Sequence, residues 1–442
     1  MHGTTIRSRD WSRSAIAMLA ALLVAAVVLI IARTGAATSA QTRVDAIYQK
    51  AFYETCELTE SLAVNYAKLI VTGTNAQAQT ILNDISRQAQ GALSNLAMLP
   101  LGEETVSATI KFVNQAGDFA ATLSQKLAGG EAISQQDYET MQTISGSATA
   151  FSQSLNQLMV RYAEGEEVFT QSDMTETGAE ELYPLTGAAS DYPTLLYDGP
   201  FADVERGGSY KALENLYVVS QEEAQAQLAA FLGTQNAITY EGESDLQVKC
   251  YEFSVNMGEY SISAGVTQQG GKVLYMLSDA QIAEPVLGEE ECARLAQEFL
   301  ASRGYGETEM SYYSRYGGVL TVNFACVEEG VVLYPDLIKV QVDMRDGSVI
   351  GMEAHGYLRN HVLRELSAPE ISREQALTGL SPTLNAQDIR LCVIPQNGEE
   401  YLCYEVTATS SMGMFMVYVD AMTGEEREIL QVVNSETGTL VM

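Results

Sequence analysis

Near the C-terminus Val417 to Glu426 read VYVDAMTGEE, which gathers Asp420, Thr423, Gly424, Glu425 and Glu426 in one short stretch. Such oxygen-rich side chains suit a cation site, a catalytic acid/base loop, or a tight turn whose Asp bonds the following backbone amides. A calcium loop needs carboxylates or amides at alternate positions ahead of its Gly. Counting back from Gly424 gives Ala421 and Val419, and from the similar Gly347 gives Met344 and Val342, so no calcium loop is expected.

Other chemistry is equally absent from the motifs. There is no GxSxG, HExxH or P-loop, and no GxGxxG opening a βα unit. Outside the N-terminus the histidines are His355 and His361, six apart in EAHGYLRNH and off a common helical face, so turn or surface roles are predicted. Glu pairs recur at 103/104, 222/223, 328/329, 399/400 and 425/426, too often to nominate a glycosidase couple. Cys56, Cys250, Cys292, Cys326, Cys392 and Cys403 form neither CxxC nor a Cys/His cluster, and are read as buried thiols, with Cys392 and Cys403 facing across a hairpin as an alternative. No catalytic residue, metal or cofactor is nominated, and the chain is expected not to be an enzyme.

The elements that must position VYVDAMTGEE form an internal repeat. Helix starts at Ser220–Leu232, Gly288–Leu300 and Ser372–Leu380 are each followed by a strand core, at Tyr251–Phe253, Val322–Phe324 and Tyr404–Val406. Each then reaches a turn: SAGVTQQGGKVLYM, VQVDMRDGSVIGM and VYVDAMTGEEREI. Gly271, Gly347 and Gly424 fall in register, as do Asp343 and Asp420, with Thr267 in the first copy. Alternating apolar residues around a polar segment with Gly predict a hairpin, the Gly supplying positive φ and the Asp opening the turn.

Ahead of the repeats the chain changes character twice. Residues 41–165 are rich in Ala, Gln, Ser and Thr, with apolar residues at steps of three and four, as in Ile81, Ile85, Ala89, Ala92 and Leu96. That pattern predicts four amphipathic helices in an antiparallel bundle, broken at Gly73-Thr74-Asn75, Pro100-Leu101-Gly102 and Gly129-Gly130. Residues 166–218 read as a linker, whose Tyr192, Tyr197 and Phe201 are expected to dock on a neighbouring domain. Residues 15–32 form an uncharged apolar run long enough to span a bilayer. The basic stretch 1–14 before it predicts a cytoplasmic N-terminus and an extracytoplasmic bulk, with a cleaved signal peptide as the competing reading.

The formal net charge of -32 is spread along the whole chain rather than held in one tail. It repels nucleic acid, so none is expected as a partner. A helical hairpin beside a membrane is compatible with a homodimer.

The unit of capped helix, YEV-type strand and VYVDAxTGE-type hairpin resembles the PepSY domain. The layout, including YPTLLYDGPF at Tyr192 to Phe201, resembles the YpeB-type spore germination proteins over nearly the full chain. The resemblance implies an α+β protein with one N-terminal transmembrane helix, an extracytoplasmic helical bundle and three PepSY-like repeats, at 219–284, 285–366 and 367–442. It further implies a place at the spore inner membrane facing the cortex peptidoglycan. There such a protein stabilises, localises and restrains a cortex-lytic hydrolase of the SleB type. An extracytoplasmic sensor or protease inhibitor unrelated to spores is the alternative.

Overall fold

The computed structural model describes residues 47, 48, 50–99, 103–163 and 209–442, except 246, 247, 259, 281–283, 317, 436 and 437. The apolar run 15–32 and the residues Tyr192, Tyr197 and Phe201 lie outside the described residues. Among the described residues no helix is long and apolar enough to cross a membrane.

The described chain opens with α1 (50–71), α2 (Asn75–Leu96), α3 (Glu103–Ala128) and α4 (Gln135–Ala163). Their apolar stripes are buried at the helical period, as in Leu62, Tyr66 and Leu69 on α1 and Ile81, Ile85, Ala89, Ala92 and Leu96 on α2. Thr74 caps α2 by accepting from the Gln77 amide at 3.2 Å. The Tyr66 hydroxyl donates to the Ala116 carbonyl at 2.5 Å and ties α1 to α3.

Three helix-and-sheet units follow. The first contains α5 (Gln221–Leu232), β1 (Ile238–Asp245), β2 (Lys249–Asn256), β3 (Ser261–Thr267) and β4 (Val273–Ser278). The second contains α6 (Glu289–Ser302), β5 (Thr308–Tyr316), β6 (Val319–Glu328), β7 (Val331–Asp343) and β8 (Val349–Glu353), then the short α7 (His355–Asn360). The third contains α8 (Arg373–Thr378), β9 (Asn385–Gln396), β10 (Glu399–Ser410), β11 (Gly413–Asp420) and β12 (Glu426–Ser435), with β13 (Gly438–Val441) after it. Ser220 and Ser372 start their helices with reciprocal capping boxes, Ser220 with Glu223 and Ser372 with Gln375. Gly288 offers no side-chain cap, and three Glu in the first turn of α6 face its positive dipole end.

The strands run antiparallel in one sheet, ordered β1-β2-β3-β4-β8-β7-β6-β5-β13-β12-β11-β10-β9. The first two units join where β4 meets β8, through Tyr275 opposite Glu353 and Met276 opposite Met352. The far end folds back: β9 pairs in parallel with β7 at Val332–Cys392 and Leu333–Val393, so eight of the nine strands of the second and third units close on themselves. β8 stands outside the ring with the first unit's sheet, and every one of the eight ring strands contributes to the enclosed core. That core holds Tyr312, Ala325, Tyr334, Cys392, Cys403, Tyr418, Leu430 and Val441. The seam between β13 and β5 is equally short, Gly438 opposite Ser314 and Thr439 opposite Tyr313.

The outward faces are covered in two ways. Cys292, Ala296 and Leu300 of α6 cover Leu320, Val322, Phe324 and Val340 in one core shared with the first unit. Tyr404, Val406, Phe415, Val417, Val419 and Ile429 of the third unit instead share a core with the bundle. The helix expected over 372–380 spans only Arg373–Thr378. Gly379 follows it, and Gly73 of the bundle packs so closely that an added Cβ would lie 2.7 Å from the Gly379 carbonyl.

Candidate functional site

The hairpins singled out in the sequence share one geometry. The amide of Thr267, Asp343 or Asp420 donates five residues ahead, to Lys272, Ser348 or Glu425, at 2.8, 2.9 and 2.8 Å. In return the amides of Gly271, Gly347 and Gly424 donate to the carbonyls of Thr267, Asp343 and Asp420, at 3.1, 2.8 and 2.8 Å. The three glycines have φ of +63°, +79° and +80°, a region that L side chains enter at a cost.

The first turn residue carries the side-chain chemistry. Asp420 accepts from the Met422 and Thr423 amides at 2.8 and 3.0 Å, and Asp343 accepts from the Arg345 amide at 2.8 Å. The Thr267 hydroxyl does the same work as a single acceptor for Lys272 at 2.9 Å and adds a bond to the Gln269 carbonyl. Asp420 also binds Arg427, at 2.6 and 2.9 Å. Burial alone would raise the Asp420 carboxyl, but the Arg427 guanidinium and the two amides hold it below its ordinary 3.8.

The next residue clips the hairpin to its own unit's helix. The Gln268 carbonyl accepts from Val219, that of Met344 from Val286 and Leu287, and that of Ala421 from Glu370 and Ile371, all at 2.8–3.2 Å. These donors lie two or three residues before the first residue of α5, α6 or α8. The repeated motif thus fixes where a helix begins, and its oxygens are engaged by backbone and arginine.

Polar groups outside the hairpins lie at junctions between units. Asp336 of β7, fully buried, takes Arg364 in a two-pronged bond at 2.8 Å and His361 Nδ1 at 2.7 Å. Arg364 also bonds Glu400 of the third unit at 2.7 and 2.9 Å. His361 stacks on Tyr357, and His355 Nδ1 lies 2.9 Å from the Tyr210 hydroxyl. The two histidines therefore act as tethers with defined partners, in place of the turn or surface roles expected. Inside the ring Glu405, 2% exposed, accepts from Tyr334 at 2.5 Å and from Arg390 at 2.7 Å. A charged residue on the inward period of the apolar strand LCYEV was the available signal for Glu405. Asp336 in the apolar run VVLYPDLIKV was the other.

The bundle meets the third unit through Glu426, which accepts from the Thr72 hydroxyl at 2.5 Å and the Gly73 amide at 3.1 Å. Burial raises the Glu426 carboxyl, and the Thr72 and Gly73 bonds offset part of that rise. Burial likewise raises Glu428, with Lys68 opposing, while burial lowers Lys68 itself. Of the acidic residues in VYVDAMTGEE, Asp420 therefore shapes the turn and Glu426 holds the bundle. Cys392 lies opposite Cys403 across β9 and β10, and all six cysteines are buried free thiols.

Comparison with known families decides the kinship. Residues 36–171 match the profile described as YpeB N-terminal, and residues 179–367 that described as YpeB sporulation, PepSY1 and PepSY2 domains. Residues 370–430 match the profile of the Peptidase propeptide and YPEB domain. The chain belongs to the YpeB sporulation protein family. Family relatives include the sporulation protein YpeB of Halalkalibacterium halodurans, 24% identical over 88% of this chain and 90% of that one. That of Bacillus subtilis is 21% identical, over 88% and 90% of the two chains. A solved structure, the Bacillus megaterium YpeB C-terminal domain, aligns with 28% identity and a TM-score of 0.45, over 49% of this chain and 99% of that one.

Proposed function

We propose that this family member is a non-enzymatic spore protein, anchored by residues 15–32 in the spore inner membrane and facing the cortex, that stabilises, localises and restrains a SleB-type cortex-lytic hydrolase. The observation that carries the reading is kinship along almost the whole chain to proteins named for sporulation, from the N-terminal module through all the PepSY modules. The site geometry supports it: the Asp, Thr and Glu that drew attention as possible catalysts are engaged as turn acceptors, clips and tethers. An acidic surface also complements a basic, wall-binding enzyme.

The test is a deletion strain. Dormant spores lacking this protein should contain little or none of the hydrolase by immunoblot, and restoring the full chain should restore it. Unchanged hydrolase levels would reject the proposal, and cortex-degrading activity of the purified chain would reject its non-enzymatic part.

A further inference from the structure

Among the described residues β1 ends the sheet: β2 pairs along one side of it from Ile238 to Asp245, and no strand pairs along the other. The opposite end is different in kind, because β9 turns back onto β7. The outer amides and carbonyls of β1 therefore form an open edge, the template to which an extended segment can add by main-chain hydrogen bonds. The edge is firmly held. Tyr240 rests on Tyr251 and Phe253 at 6.3 and 5.9 Å between ring centres, and Ser254 fixes Glu241 at 2.6 Å.

Charge selects the occupant. The strand ITYEGESD bears Glu241, Glu243 and Asp245 and no cation, and residues 219–284 hold nine carboxylates against two lysines. A second copy pairing its own β1 here would set like charges beside one another, which destabilises cross-strand neighbours. The chain's own stretch 164–208, with eleven carboxylates and one arginine, supplies no run of cations to match this edge. We infer that β1 receives an extended, lysine- or arginine-bearing segment of a different protein as an added strand. The bulge between Tyr240 and Gly242 interrupts the regular pleat within the edge, so an incoming strand has a marked position at which to set its register. The inference holds whether or not that protein is the hydrolase.

The experiment uses the full chain in neutral detergent and a synthetic eight-residue peptide alternating Lys with Thr or Val, with a Glu-for-Lys peptide as control. Saturation with the Lys peptide should slow hydrogen exchange of amides within 238–245 at least tenfold, and binding should weaken as salt is raised. The double variant E241K/E243K should lose the Lys peptide by roughly tenfold in Kd and gain the Glu peptide, because each reversal replaces an attractive cross-strand charge pair with a repulsive one. The inference is overturned by any of three results: no slowing in β1 at millimolar Lys peptide, equal slowing by the Glu peptide, or binding that protects other regions only. Concentration-dependent slowing of β1 without peptide would overturn it in favour of a second copy.

Discussion

The second unit lays the fourteen-residue α6 over Leu320, Val322, Phe324 and Val340, whereas the third has only the six-residue α8. In the third, Val406, Phe415, Val417 and Ile429 are covered by the bundle instead. Both faces are equally apolar, and each must be removed from water at about 25 cal/mol per Å². The difference teaches that a PepSY-like unit requires a cover and does not dictate its source. Where the local helix stops early, a distant part of the chain supplies the rest. The third unit and the bundle therefore share one core, while the first and second units share another.

The sharpest way to break this comparison is to cut a large side chain from each face. Phe415→Ala and Phe324→Ala should each cost about 3–5 kcal/mol. Only Phe415→Ala should accelerate hydrogen exchange in α1 and α2, because only Phe415 lies in the bundle's core. Equal exchange in the two variants would show that the bundle stands on its own.

Next in size is Asp420→Ala, which strips two amides and Arg427 of their acceptor. A loss of about 2–3 kcal/mol is expected, read by chemical denaturation. Because the Asp420 carboxyl is held below 3.8, its stabilising effect is present above that pH and fades as pH falls through its lowered value. The variant should accordingly lose the part of the acid-unfolding profile that lies below pH 3.8.

The hairpins themselves offer a finer contrast. Gly347→Ala and Gly424→Ala share a backbone penalty of about 1–2 kcal/mol for positive φ. At Gly347 the new methyl would also run into Leu295 of α6, whereas at Gly424 the nearest atom is Ile371 Cδ1 at 3.6 Å. Gly347→Ala should be the worse by about 1 kcal/mol or more in thermal or denaturant unfolding, for the overpacking alone. Equal losses would mean that the clip closes on its helix alike in both units.

The smallest effect concerns pH. Glu426 has its carboxyl raised, so the folded state favours its protonated form. Its contribution is full below the ordinary 4.5 and declines as pH climbs from there through the raised value. Glu426→Gln, which mimics the protonated form, should flatten the pH dependence of α1 and α2 protection above pH 4.5. An unchanged slope would assign that dependence to Glu428 and Lys68 instead.

Local features were readable from residue order. The stripes Ile81, Ile85, Ala89 and Val113, Ala120, Leu123 are buried at the period that suggested helices, with breaks near Gly73, Pro100 and Gly129. The repeat was visible because the same local problem, a hairpin clipped to a helix start, recurs with the same Gly and a similar turn acceptor. Asp336 with Arg364, Glu405 with Arg390, and Glu426 with Thr72 were not readable. Their partners lie 28, 15 and 354 residues away, and no spacing rule links them.

Residue order alone dictates the helices, the turns and the repeated unit, since each depends on φ preferences, capping side chains and periods of 3.6 or 2 that act over a few residues. Tertiary structure alone decided that the second and third units close into a ring through two short seams, and that the bundle covers the third sheet. Those outcomes turn on which apolar faces remain uncovered once the local elements have formed. That depends on the whole chain at once, so no single stretch of it records the answer.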